Sequence, residues 1–113
     1  MKCQHCNRNF PEEMIHESHD IPCYLFPGRN RKERKHYADK YGRKWLCYEC
    51  HKEYENYLIN NFLNYLGEEN PVHPDENEVW TKELSRLDDN IKKRLRQIVF
   101  QIKSQKEENE KAI

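Results

Sequence analysis

Cysteine and histidine carry the chemistry that this sequence offers. Four of its five cysteines form two pairs, Cys3-x-x-Cys6 and Cys47-x-x-Cys50, and His51 follows the second pair directly. A Cys-x-x-Cys unit lets two thiolates reach one face of a tight turn. Two such units complete a tetrahedral four-thiolate shell for Zn²⁺, so Cys3, Cys6, Cys47 and Cys50 are expected to hold a structural zinc ion. The stretch between the pairs exceeds the roughly 15–20 residues of a simple zinc ribbon. It leaves room for a β-hairpin with a large loop. Inside it lies His19, in the run Glu17-Ser18-His19-Asp20-Ile21-Pro22. Cys23 stands outside both pairs and reads as a small buried hydrophobe. His5, His16, His36 and His73 read as surface side chains.

Disulfide bonding is the weaker reading of the same cysteines. Met1-Lys2-Cys3 enters the first pair without the apolar core of a secretory signal. No stretch approaches the roughly 20 apolar residues of a membrane span. The expectation is a cytoplasmic protein with no membrane partner, where thiols stay reduced and paired cysteines bind metal.

The elements that must position these residues have little apolar material to work with. The chain has 113 residues, of which 35% are hydrophobic and 35% charged. That suits one small domain plus an appendage, and a lean core makes a metal staple physically sensible. Net charge is zero but unevenly spread. Residues 29–44 hold eight Lys or Arg against Glu33 and Asp39, whereas residues 68–78 hold five acidic residues and no Lys or Arg. A basic patch mixed with His36, Tyr37, Tyr41 and Trp45 fits a nucleic-acid partner, with phosphates held by charge and bases by stacking. Arg29, Arg31, Lys32, Arg34, Lys35, Arg43 and Lys44 are the expected contacts. A solvated loop is the plain alternative.

Residues 1–10 read as a zinc knuckle. Residues 15–26 read as strand-like, interrupted by Pro22, and Pro27-Gly28 as a turn. Residues 31–40 lack Gly and Pro and should contain some helix. Gly42 marks a second turn, and residues 44–46 a short strand leading into Cys47. From Tyr48 the pattern is helical, with Tyr54, Tyr57, Leu58, Asn61, Phe62, Tyr65 and Leu66 on one stripe and Gly67 as its stop. A second helix is expected over about 78–108, its stripe including Leu84, Leu87, Ile91, Leu95, Ile98, Val99 and Ile102. That stripe must be buried, against Tyr57, Phe62 and Tyr65 or, as a homodimer, against a second copy. The organisation is therefore a zinc-containing domain over 1–67, an acidic Pro-containing linker over 68–77 and an amphipathic C-terminal helix over 78–113.

The order Cys-x-x-Cys, His19-x-x-Pro22, a turn, then Leu46-Cys47-x-x-Cys50-His51 opening a helix resembles the zinc-containing HNH endonucleases of the ββα-metal (His-Me finger) group. Gly42-Arg43-Lys44-Trp45-Leu46-Cys47 is also similar to related phage recombination endonucleases. The match covers roughly residues 3–66. It implies a small α+β zinc domain, treble-clef-like, with a zinc-stapled ββα-metal (HNH-like) core and an added C-terminal helix. It further implies that the zinc is structural and that a second divalent ion, Mg²⁺ or Mn²⁺, performs DNA phosphodiester hydrolysis. His19 would be the general base, with His51 and, one helical turn later, Glu55 holding the catalytic ion. Two positions depart from the pattern. Ser18 stands where the family carries a metal-ligating Asp or His, and Gly42 falls near its middle Asn, with Asp39 as the expected loop buttress instead. These departures favour the competing reading, a non-catalytic zinc module that binds nucleic acid or a protein.

Overall fold

The computed structural model describes residues 1–111. The N-terminal ten residues form the expected knuckle. Lys2 and Asn9 make an isolated antiparallel bridge, and Cys3 N–H donates to the Arg8 carbonyl at 3.0 Å. The reversal passes through Asn7 at φ 64°, a left-handed conformation that Asn tolerates better than most residues.

A two-stranded antiparallel sheet follows, made of β1 (Ile15–His19) and β2 (Arg43–Cys47). Its register pairs Ile15 with Cys47, Ser18 with Lys44 and His19 with Arg43. The strand expected over 15–26 ends early, at His19. Pro22 has no N–H to continue the ladder, and the chain instead winds into a 3₁₀ turn over Cys23–Leu25 that buries Leu25. The strands have no tight turn between them. Their open end closes where Asp20 N–H donates to the Gly42 carbonyl at 3.0 Å. Gly42 sits at φ +102°, and a Cβ there would lie 2.6 Å from Asp20 Oδ2, so both backbone conformation and space demand glycine.

Between the strands, α1 (Arg31–Ala38) forms in the basic segment. Asn30 Oδ1 accepts from Glu33 N–H at 3.0 Å, and Glu33 Oε2 accepts from Arg29 N–H at 2.9 Å. This is a reciprocal cap at the helix start. A 3₁₀ turn, Asp39–Tyr41, leads to Gly42.

The longest packed element near the sheet is α2 (Tyr48–Tyr65). Its core face is Leu58, Ile59, Phe62 and Leu63; Tyr57 and Tyr65, expected on the buried stripe, are 53% and 48% exposed. Their hydroxyls are better hydrated at the edge of the apolar face than buried without partners. Gly67 at φ +98° terminates the helix, with Glu68 N–H donating back to the Leu63 carbonyl at 2.8 Å.

The single helix expected over 78–108 is two helices, α3 (Asn77–Ser85) and α4 (Asp89–Lys111). Residues 112–113, the end of the C-terminal segment expected over 78–113, lie outside the described ones. The break has a local cause. Ser85 Oγ donates to the Lys82 carbonyl, the following N–H groups of Arg86 and Leu87 tighten onto the carbonyls three residues back, and Asp88 Oδ1 caps the next helix by accepting from Ile91 N–H at 3.0 Å. The bend lets Leu84 of α3 and both Leu95 and Val99 of α4 reach one core with Leu58, Ile59 and Phe62, joined by Ile21, Leu25 and Phe26. A second, smaller cluster groups Ile15 and Leu46 with Cys3, Cys47 and Cys50. Among the described residues, no helix is long and apolar enough to cross a membrane.

Leu95 is fully buried in the shared core. Leu95→Ala is expected to cost about 2–5 kcal/mol, read as a lowered urea midpoint, whereas Tyr57→Ala at its exposed site should shift the midpoint little.

Candidate functional site

The two cysteine pairs converge. Cys3 and Cys6 come from the knuckle, Cys47 from the end of β2 and Cys50 from the first turn of α2, and their four Sγ atoms lie within 4.8 Å of one another. Cys6 Sγ and Cys47 Sγ are 4.0 Å apart. Tetrahedral zinc with Zn–S bonds of about 2.3 Å requires S···S edges of roughly 3.8 Å. The donor set and its spacing therefore fit a metal such as zinc. All five cysteines are free thiols.

The cluster's own electrostatics favour a cation. Burial opposes ionisation of Cys3, but backbone N–H groups of Cys47, Cys6 and His5 outweigh it and hold that thiol down at about 6. Cys6 is also lowered, chiefly by the Arg8 guanidinium, whose Nε lies 3.5 Å from its sulfur. Cys50 is pushed up, first by burial and then by its sulfur neighbours. Four thiolates this close repel one another unless a divalent ion neutralises them, so metal uptake and deprotonation are one event.

A second polar centre lies at the C-terminal end of β1. Strand alternation puts Glu17 and His19 on one face. His19 Nε2 is 2.6 Å from Asp39 Oδ1 and 3.3 Å from Glu17 Oε1, with only 9% of the His19 side chain exposed. Asp39 reaches it from the C-terminal end of α1. His19 foremost, and then Lys35, hold the Asp39 carboxyl below its ordinary value against partial burial. Lys35 Nζ lies 3.3 Å from Glu17 Oε1 and 3.3 Å from Asp39 Oδ2. Its ammonium is raised by Glu17 first and Asp39 second. On its other ring nitrogen, His19 Nδ1 is 3.5 Å from Cys23 Sγ. Burial raises the Cys23 thiol, which keeps it neutral and makes it a poor nucleophile.

His19, His51 and Glu55 share the wall of one cavity of about 500 Å³, together with Tyr24, Arg31, Arg34 and Lys82. His51 opens α2 and Glu55 stands one turn further on the same face. Burial, then the nearby His16 and His19, lower His51 below the usual imidazole value, which favours the neutral ring with one nitrogen lone pair free for a metal. Burial alone raises Glu55. Tyr24 Oη is shielded from solvent and has no hydrogen-bond partner among the described residues.

The position before His19 gains no carboxylate. Ser18 is 4% exposed, Glu17 turns to the opposite face, and Asp20 is engaged by Lys103 of α4 at 3.0 Å. His16, two residues before Ser18 and on its face, brings its ring centroid 5.9 Å from that of His51.

The expected nucleic-acid contacts divide. Arg31 and Arg34 line the cavity, and Arg29, Lys32 and Lys44 are exposed. Lys35 is taken up by Glu17 and Asp39, and Arg43 Nη1 sits 3.4 Å from Glu17 Oε2. The role of Glu17 was missed from sequence; alternation with His19 was the available signal. Asp39 was seen only as a loop buttress, because its contact with His19 spans 20 residues and depends on where α1 ends.

No protein-family model matches the chain, and no similar protein was found among curated sequences or solved structures.

Two outcomes follow for the thiol cluster. Purified protein should contain one tightly held zinc per chain by metal analysis, and Cys47→Ser should lose it together with cooperative unfolding. Because binding displaces protons from thiols, zinc affinity should fall as pH falls, and protons should be released on zinc addition to apo-protein in weak buffer.

Proposed function

We propose that the protein is a zinc-stabilised, divalent-metal-dependent endonuclease of HNH type that hydrolyses phosphodiester bonds in DNA. The observation that carries this reading is His19, held by Asp39 at 2.6 Å, at the wall of a cavity that His51, Glu55, Arg31 and Arg34 also line. The order of the motifs, with its resemblance to zinc-containing HNH endonucleases, points the same way.

The chemistry runs through His19. Asp39 accepts the Nε2–H, which fixes the tautomer and leaves the Nδ1 lone pair to take a proton from water. The neutral Cys23 thiol, 3.5 Å from Nδ1, donates to that lone pair at rest and turns away as the water takes its place. Arg31 and Arg34 hold the phosphate by charge-assisted hydrogen bonds. His51 and Glu55 would hold Mg²⁺ or Mn²⁺, which when bound supplies charge stabilisation at the phosphate and the leaving oxygen. The Cys3–Cys6–Cys47–Cys50 zinc is structural in this reading.

One observation favours a second reading, the non-catalytic nucleic-acid-binding zinc module. Ser18 is buried and neutral at the place where an additional metal ligand belongs.

A plasmid-nicking assay with Mg²⁺, Mn²⁺ or chelator separates the two. The parent should nick with a divalent ion, and His19→Ala should lower the rate by about 10²–10⁴-fold with zinc content and melting unchanged. Binding to DNA without nicking under any ion selects the second reading.

The grip should be electrostatic. Replacing Arg31 and Arg34 together by Ala is expected to flatten the slope of log K against log salt by about one to two, measured by fluorescence anisotropy on a short duplex. An unchanged slope removes these arginines from the interface.

A further inference from the structure

The surroundings of His19 contain more than a base needs. One imidazole nitrogen and two carboxylates, from His19, Glu17 and Asp39, bring three donor atoms within 4.8 Å of one another. They come from β1 and from the end of α1, so two separate elements fix the group. His19 is nine-tenths buried. Glu17 Oε1 is shielded from solvent and accepts no well-directed hydrogen bond; the Lys35 ammonium and His19 Nε2 each lie 3.3 Å away. Both contacts are close enough for charge attraction, yet they leave that oxygen's lone pairs without a good donor.

A positive charge already sits among these donors. Lys35 Nζ is 3.3 Å from Glu17 Oε1, 3.3 Å from Asp39 Oδ2 and 3.4 Å from Asp39 Oδ1. Arg43 touches only the other Glu17 oxygen, at 3.4 Å. Lys35 is attached by a flexible four-carbon stem, and its side chain is 45% exposed. It can swing into water at small cost, since ion pairs this exposed are weak.

We propose that Glu17, His19 and Asp39 form a second divalent-metal site, for Zn²⁺ or a similar first-row transition ion, in which the bound ion replaces the Lys35 ammonium. Imidazole beside two carboxylates suits a borderline ion such as Zn²⁺. Zinc bonds of about 2.0–2.2 Å place neighbouring donors roughly 3.4 Å apart. The Glu17–His19 separation of 3.3 Å already fits, and Asp39, at the helix end and within 4.8 Å of both, has to back away from 2.6 Å. His19 Nδ1 then carries the ring proton, with Cys23 Sγ 3.5 Å away to accept it. Such an outer partner fixes the tautomer of a metal-bound histidine. The ion differs from the one assigned to His51 and Glu55, and it opposes that one's action. Ligated through Nε2, with Nδ1 protonated, His19 has no lone pair for a water proton. Zinc beyond the structural equivalent therefore silences cleavage; this last consequence alone rests on the endonuclease reading.

The test is calorimetric titration of Zn²⁺ into protein that already carries one zinc in its cysteine cluster, with retention of that first zinc as the check on folding. The parent should take up a second equivalent. Glu17→Gln and Asp39→Asn should each weaken it at least tenfold, and Lys35→Met should tighten it by about threefold or more, because the competing ammonium is gone. Absence of a second equivalent, or one that Glu17→Gln and Asp39→Asn leave unchanged, overturns the site. A second equivalent insensitive to Lys35→Met overturns the exchange. Binding is read without any cleavage, so a protein that never nicks DNA still answers this question.

Discussion

Cys47 ties the molecule together. It is the last residue of β2, the residue on which α2 begins and a member of the four-thiol cluster. It also pairs with Ile15 at the start of β1. A two-stranded sheet without a tight turn has little of its own to fix register, and a slip of one residue turns every side chain to the opposite face. Here the cysteine cluster pins one end of the ladder. The register then decides that Glu17 and His19 share a face and meet Asp39, while His16 and Ser18 look the other way. Thiol cluster, register and the orientation of one imidazole form a single chain of dependence.

The charge distribution follows from the same geometry. A chain with no net charge still presents a basic segment, but its cations are not equivalent. Lys35 and Arg43 are drawn inward by Glu17 and Asp39, whereas Arg31 and Arg34 keep their charge at the cavity wall. An ammonium held between two carboxylates adds little attraction for a distant polyanion. The electrostatic footprint is therefore narrower than a count of Lys and Arg over residues 29–44 suggests.

Much of the architecture was legible because it rests on local rules. Paired cysteines, the glycine that ends α2 and the Gly- and Pro-free run that becomes α1 announce themselves over a few residues. The misses share a different cause. The apolar stripe after residue 78 keeps helical period across the break at Arg86–Asp88, so periodicity alone reads through it; only Ser85 and Asp88, residues suited to ending and capping helices, marked the spot. Tyr57 and Tyr65 fit the stripe of α2 by spacing, yet their hydroxyls stay at the surface while Ile59 and Leu63 take the core. The extended segment after His19 looked like more strand until Pro22 cut the ladder. At the candidate site, His19 and His51 were visible as residue types in context. Glu17 and Asp39 were not, because their partnership with His19 depends on strand alternation and on a helix end twenty residues away.

Asp20 faces a small turn residue, Gly42, and together they govern something distant. Its N–H closes the open end of the sheet on Gly42, its carbonyl accepts the Tyr54 hydroxyl at 2.6 Å, and its carboxylate holds Lys103 of α4 at 3.0 Å. One residue thus fastens the sheet, α2 and α4 at a common point. The last of these fastenings is ionic and partly open to water, so dissolved salt loosens it while leaving the apolar seat of Leu95 and Val99 intact. The distal part of α4 is in effect hung on a salt-sensitive latch, and the absence of a side chain at Gly42 is what keeps the latch free to close.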